Sequence, residues 1–281
     1  YKVVDDIMTE TPNTYYIKWD CNMETKNFGS HYLSADNQSH LYVDYHLGLI
    51  KTLQRIRAKY PDLVIQCCAS GGGRVNYGLM PYFDEFWVSD NTDAKQRLFI
   101  QWGTSMFFPA CAMAQHVSAS PNHQTHRSLP LKFRFDVAMT GRLGMEMKPS
   151  DLSADEMKFA QSCFKTYKET IRPIVQQGDL YRLISPYEGN GYCSEMYVKE
   201  DKSEAIFFAY KFEHFVDFFC PRFYFAGLDP DATYTLTEIC RQGSPDHWEG
   251  ATFTGRFLMQ QGVEIGFRGE YSSKVIRLVR K

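Results

Sequence analysis

The sequence predicts an α/β protein that turns all-β. Two observations carry that prediction. As far as Gly178, apolar runs of strand length alternate with segments of helical period. Beyond Gly178, short apolar runs are divided by Gly, Pro and Asp turns. Strand and helix in alternation imply parallel βα units, and the later pattern implies an antiparallel β domain. The expected division is therefore 1–178 and 179–281. Five strands are expected before the boundary, too few to close an eight-stranded barrel.

Each element follows from its own residues. A short helix is expected over 3–9, stopped before Pro12. Residues 15–19 are aromatic and β-branched, the composition of a short buried strand, and they end on Asp20. Side chains alternate along a strand, so Lys18 and Asp20 share a face. A polar loop with Asn27, Gly29 and Asn37 covers 21–38. Leu49, Leu53, Ile56 and Tyr60 recur at helical spacing in 39–60, and Pro61 marks the end. A buried strand over 63–68 leads into the loop Ser70-Gly71-Gly72-Gly73-Arg74. Then come a strand over 85–89, a helix over 93–107, a strand over 112–118 and the loop Pro121-Asn122-His123. A helix over 130–139, a strand over 143–147 and a long helix over 151–177 complete the first part. Ser153 and Glu156 stand at capping-box spacing. Strands are expected afterwards over 195–198, 204–211, 222–226, 232–238, 262–267 and 274–279.

Composition narrows the function. Apolar content of 44% and charged content of 23% suit a globular chain of 281 residues with a large core. A net charge of −2 gives no reason to expect nucleic acid or an anionic membrane as partner. No apolar stretch reaches bilayer length. The 8 Cys show no zinc spacing, and Cys67 and Cys68 read as buried thiols. Neither metal nor cofactor is expected. The chain begins at Tyr1 and is expected to be a piece of something longer.

Two carboxylates stand at equivalent places, Asp20 at the end of one strand and Asp90 at the end of another, two βα units later. A carboxylate pair is the minimum equipment for hydrolysis of a glycosidic bond. A cation such as Lys18 beside Asp20 suits a nucleophile. The segment after Asp90 is Asn91-Thr92-Asp93, three favoured capping residues, so simple capping of the next helix competes with a catalytic role. One residue can cap while another does chemistry. The glycine loop at 70–74 lacks the Lys-Ser/Thr of a phosphate loop and the dinucleotide spacing. Its glycines permit close approach to a ligand, or simply make a flexible turn. His116, Asn122 and His123 read as structural rather than as metal ligands.

Several stretches, taken in order, resemble glycoside hydrolase family 36. These are Tyr16-Ile17-Lys18-Trp19-Asp20-Cys21-Asn22, Cys68-Ala69-Ser70-Gly71-Gly72-Gly73-Arg74 and Trp87-Val88-Ser89-Asp90-Asn91-Thr92-Asp93-Ala94. Pro121-Asn122-His123-Gln124-Thr125, Gly141-Arg142-Leu143-Gly144 and Gly227-Leu228-Asp229-Pro230-Asp231-Ala232 continue the likeness. The resemblance implies about strands 4–8 of a (β/α)8 TIM barrel followed by a C-terminal antiparallel β-sandwich. It implies a retaining α-galactosidase acting on α-galactoside oligosaccharides of the melibiose or raffinose type. Asp20 falls on the family's nucleophile and Asp90 on its general acid/base. Lys18, Asn22, Cys68, Ser70, Gly71 and Gly72 fall on sugar-binding positions, and Trp87 on a wall of the pocket. Neighbouring chemistries in the resemblance are an α-N-acetylgalactosaminidase and a raffinose-synthase-like galactosyl transferase. It also leaves room for a homo-oligomeric parent. Gln66 and Asn76 stand where relatives often carry acidic residues. The family's aspartates that grip the galactose O4 and O6 belong to barrel strands earlier than those of this chain.

Overall fold

The computed structural model describes residues 1–22, 29–213 and 220–281. Asn27, placed by the sequence in the polar loop, lies outside the described residues. The chain divides into two units, Tyr1–Asp90 and Asn91–Lys281.

The first unit opens with α1 (Lys2–Glu10), then β1 (Tyr16–Asp20), α2 (Leu41–Lys59), β2 (Val64–Cys68) and β3 (Glu85–Trp87). A 3-10 turn over Ala35–His40 leads into α2, across the expected border between loop and helix at 38–39. The three strands are parallel, with β2 between β1 and β3. On β1, Ile17 and Trp19 face a small core of Val4, Ile56, Leu63 and Ile65, while Tyr16, Lys18 and Asp20 take the opposite, exposed face. The alternation is as expected, but the expected burial holds for one face only, since Ile17 and Trp19 meet the core while Tyr16 is 44% exposed. Strand β3 is three residues rather than the five expected. Val88 and Ser89 leave the ladder where the glycine loop after β2 closes on them, as described below.

The second unit begins with α3 (Ala94–Ser105), β4 (Met113–Ser118), α4 (Leu131–Ala138) and β5 (Arg142–Glu146), with β4 and β5 parallel. The long expected helix is broken. It runs as α5 (Ala154–Thr166), a π-helical turn over Tyr167–Ile171, and α6 (Arg172–Gln177). Pro173 has no amide hydrogen to donate, and the register slips by one residue in the turn before it. The Ser153–Glu156 capping box forms as expected. Gly141, just before β5, and Gly144, in its middle, are packing features. A Cβ on Gly144 would stand 2.4 Å from the His116 ring, and one on Gly141 2.6 Å from the Gln115 amide.

An antiparallel sheet follows, built from β6 (Asp179–Ile184), β7 (Tyr192–Val198), β8 (Glu204–Lys211), β10 (Thr233–Ile239), β11 (Thr252–Thr254) and β13 (Ser272–Arg280). Its order is β11-β10-β13-β8-β7-β6. A separate two-stranded piece pairs β9 (Arg222–Phe223) with β12 (Val263–Glu264), shorter than the strands expected there. Strands β6 and β11, and the helix α7 (Gly255–Gln260), are additions to the expected elements. Both faces of the sheet are covered. From β8, Ile206, Phe208 and Tyr210 join a core shared with α3 to α6, while Ala205, Phe207 and Ala209 join a second core with Phe223, Leu258 and Trp248. Parallel βα units followed by an antiparallel β domain are the expected fold class, a partial (β/α)8 barrel with its C-terminal β domain. Among the described residues no helix is long and apolar enough to cross a membrane.

Candidate active site

The expected site residues of the first unit gather at the C-terminal ends of β1, β2 and β3. The register sets them in two rungs. Asp20 lies opposite Cys68, and two residues earlier Lys18 lies opposite Gln66, which in turn lies opposite Glu85. Trp87 follows two residues beyond Glu85 and so shares its face.

Trp87 is 1% exposed, and its indole ties the site together. Nε1 donates to Asp90 Oδ1 at 3.0 Å, and Lys18 Nζ lies 5.0 Å from the ring centroid, over the π face. Lys18, Asp20 and Asp90 are all open to solvent. In this geometry Trp87 serves as a support beneath Asp90.

Cys68 is buried beside Asp20. Burial, and after it the proximity of Asp20, pushes its thiol up, against the pull of the Gly71 amide and of Lys18. The thiol is therefore a neutral donor beside a carboxylate rather than a reactive thiolate. Cys67 and Cys68 are free, buried thiols, as the sequence suggests.

Asn22 braces the glycine loop, because its Oδ1 accepts from the Ser70 amide at 2.8 Å. Ser70 (φ 48°) and Gly71 (φ 86°) are both left-handed, and the Ala69 amide closes the turn on Gly71 O at 2.9 Å. A Cβ on Gly71 would meet Ser89 Cα at 2.7 Å. What glycine permits at 71 is thus close approach to the chain's own backbone, one residue before Asp90. Gly72 bridges to Ala69 within the same turn.

The Asn91-Thr92-Asp93 segment opens the second unit and divides the roles as the sequence allows. Asp93 caps α3, accepting from the Gln96 amide at 3.0 Å, and is fully buried against Arg127 (2.7 Å) and Thr125 (2.5 Å). Asn91 Oδ1 accepts from the Asp93 amide. Asn122 is structural, organising its own turn through the Gln124 and Thr125 amides. Among the described residues no group of three or more His, Cys, Asp or Glu is placed to hold a metal ion.

The sequence singles out Lys18 and Gln66 of the lower rung but not the bonds that tie Gln66 and Tyr16 to Glu85. Tyr16 Oη donates to Glu85 Oε1 at 2.9 Å, and Gln66 Nε2 donates to the same oxygen at 2.6 Å. The signal is a glutamine inside the apolar run Val64-Ile65-Gln66-Cys67-Cys68, where a polar side chain needs a reason.

Comparison with known proteins gives the geometry its family. The melibiase model matches residues 1–178, and the glycosyl hydrolase family 36 C-terminal domain model matches 192–278. The chain is 38% identical over 282 residues to alpha-galactosidase C of Emericella nidulans, covering 98% of this chain and 34% of that protein. It is similar to two crystal structures of variants of the alpha-galactosidase AgaA from Geobacillus stearothermophilus. The complex with raffinose gives a TM-score of 0.91 at 33% identity, and the complex with stachyose 0.90 at 33%. Both cover all of this chain and 37% of theirs. The chain thus spans about a third of the length of the relatives it matches. It belongs to the melibiase family, glycoside hydrolase family 36.

Proposed function

We propose that this chain supplies the nucleophile and the general acid/base of a retaining α-galactosidase acting on raffinose-type α-galactosides. Asp20 attacks the anomeric carbon as Asp90 gives a proton to the leaving oxygen, forming a galactosyl ester on Asp20. Asp90, now a carboxylate, takes a proton from water, whose oxygen attacks the anomeric carbon and releases Asp20. The observation that carries this reading is the Trp87 indole, which bonds Asp90 at its edge and holds Lys18 over its face beside Asp20. The relatives add support. In the raffinose and stachyose complexes one aspartate each is replaced, and the two replaced aspartates stand as far apart in that chain as Asp20 and Asp90 stand here.

Lys18 and the loop formed by Cys68, Ser70, Gly71 and Gly72, braced by Asn22, are assigned to the sugar. We take Gly178–Asp179 as the border of the catalytic part, a reading supported by the change from α6 to β6 there. The chain alone is expected to be inactive. Strand β1 is an edge in the first unit, with Tyr15 and Tyr16 exposed, and an unpaired apolar edge invites association rather than a formed pocket.

The test is kinetic and stereochemical, in the intact protein. Asp20→Asn is expected to abolish turnover. Asp90→Asn should damage raffinose hydrolysis far more than that of a nitrophenyl α-galactoside, whose leaving group departs without a proton. Proton NMR should show α-galactose as first product. β-Galactose first, or full activity in Asp20→Asn, would overturn the assignment. Equal or better turnover of the N-acetylgalactosaminide, or transfer to sucrose in place of hydrolysis, would redirect it to a neighbouring chemistry.

A further inference from the structure

We propose that Gln66 is a positioning residue for Lys18, held in place by Glu85 and Tyr16. The inference rests on the reading of the site given above. Gln66 is 0% exposed and sits on the middle strand, in register with Lys18 on one side and Glu85 on the other. A carboxylate only accepts, so the amide arm toward Glu85 has to be the Nε2 donor, and it stands 2.6 Å from Glu85 Oε1. Tyr16 Oη, donating to the same oxygen, fixes the carboxylate from the β1 side. The orientation of the amide is therefore decided by Glu85. Its other arm, Oε1, is left free of that bond, on a strand whose β1 neighbour in register is Lys18.

That oxygen is buried and has no hydrogen-bond partner among the described residues. A buried acceptor left unpaired is costly, and such groups in native proteins have a use. Its in-register neighbour ends in an ammonium with three donors. The Lys18 Nζ rests over the Trp87 ring, and in the proposed arrangement it shares its protons between Gln66 Oε1 and a bound sugar hydroxyl. Gln66 then sets where the ammonium waits, and Glu85 and Tyr16 set where Gln66 waits. No atom of Gln66 touches the reacting bond in this scheme. A purely structural glutamine would fill the same volume without needing its oxygen.

The experiment uses the intact protein and three variants, Asp20→Asn, Gln66→Met and Gln66→Glu, assayed on nitrophenyl α-galactoside across pH. Gln66→Met keeps the volume and loses both arms. Its KM is expected to rise about ten-fold, the worth of one hydrogen bond to a charged group, with kcat within about three-fold. Gln66→Glu keeps the shape. At acid pH its carboxyl holds a proton, donates to Glu85 and leaves an oxygen for Lys18, so KM stays near wild type. As that proton leaves, two carboxylates face each other and KM rises, adding a titration that the wild type lacks. Wild-type KM in Gln66→Met, a loss confined to kcat, or a wild-type pH profile in Gln66→Glu would each overturn the proposal. If Gln66→Met does not fold, the near-isosteric Gln66→Glu decides alone. Retained turnover in Asp20→Asn would instead remove the reading of the site itself.

Discussion

Replacing Glu195 by glutamine should make the protein lose less stability as pH rises. Glu195 lies on β7, 8% exposed, with Arg182 of β6 in register beside it. Burial pushes its carboxyl from 4.5 up to about 7, against the pull of the Arg182 charge and the Thr140 hydroxyl. The sign follows from proton counting. Below 4.5 both folded and unfolded chains hold the proton, and the folded state keeps its full stability. Between 4.5 and 7 the unfolded chain releases its proton first, so folding becomes weaker with each step in pH. Above 7 both are ionised and the loss is complete. At roughly 1.4 kcal/mol per pH unit the loss totals about 3 kcal/mol, a large part of a typical folding free energy. A glutamine amide at this position has no proton to release, so Glu195→Gln carries no such slope. The assay is a urea titration of the intact protein and the variant from about pH 4 to pH 8, following the β-domain transition. The stability of wild type minus variant should fall by about 3 kcal/mol over that range, mostly between the two pKa values. A difference that is flat with pH, or that grows toward alkaline pH, would refute the reasoning.

Three further outcomes are expected. Trp87→Phe removes the donor to Asp90 at 3.0 Å and should lower kcat on raffinose about ten-fold or more, the worth of a hydrogen bond to a charged group, with the thermal transition retained; an unchanged kcat would argue against the indole's role. Gly71→Ala places a Cβ 2.7 Å from Ser89 Cα at φ 86°, and should cost about 1–3 kcal/mol in stability, read by urea midpoint, together with a fall in kcat/KM. Lys132→Met strips the ion-pair partner at 2.7 Å from Asp136, a fully buried side chain on α4 that keeps only the Ser273 hydroxyl on that oxygen, and should destabilise by about 3–5 kcal/mol, a loss visible as a lowered urea midpoint.

How far the sequence can be read depends on whether an element meets solvent on one side. Strand β1 is legible because Ile17 and Trp19 face a core while Lys18 and Asp20 do not. Strands β7 and β8 are buried at nearly every position because each face has its own core, so composition rather than alternation announces them. Strand β6 escapes notice because Asp179 and Arg182 give it a polar look that edge position tolerates. The strand and helix over 252–260 are together too short for any period to appear. In the site, Asp20 and Asp90 can be found as strand-end carboxylates. The support given by Trp87, Gln66 and Glu85 cannot, because it depends on which residues the parallel register brings opposite one another.

The contact between Gly71 and Ser89 carries a consequence for anyone who would retune this protein. A loop proposed to choose the sugar is wedged against the peptide that carries the proposed proton donor, with no room for a Cβ between the two backbones. Variation at 70–72 aimed at substrate choice will therefore also shift Asp90. Double-mutant cycles between this loop and 88–90 should be strongly non-additive, while cycles between the loop and distant α2 should add. Selection for a new sugar will thus tend to accept paired changes, one in the loop and one in the strand end, and to reject either alone.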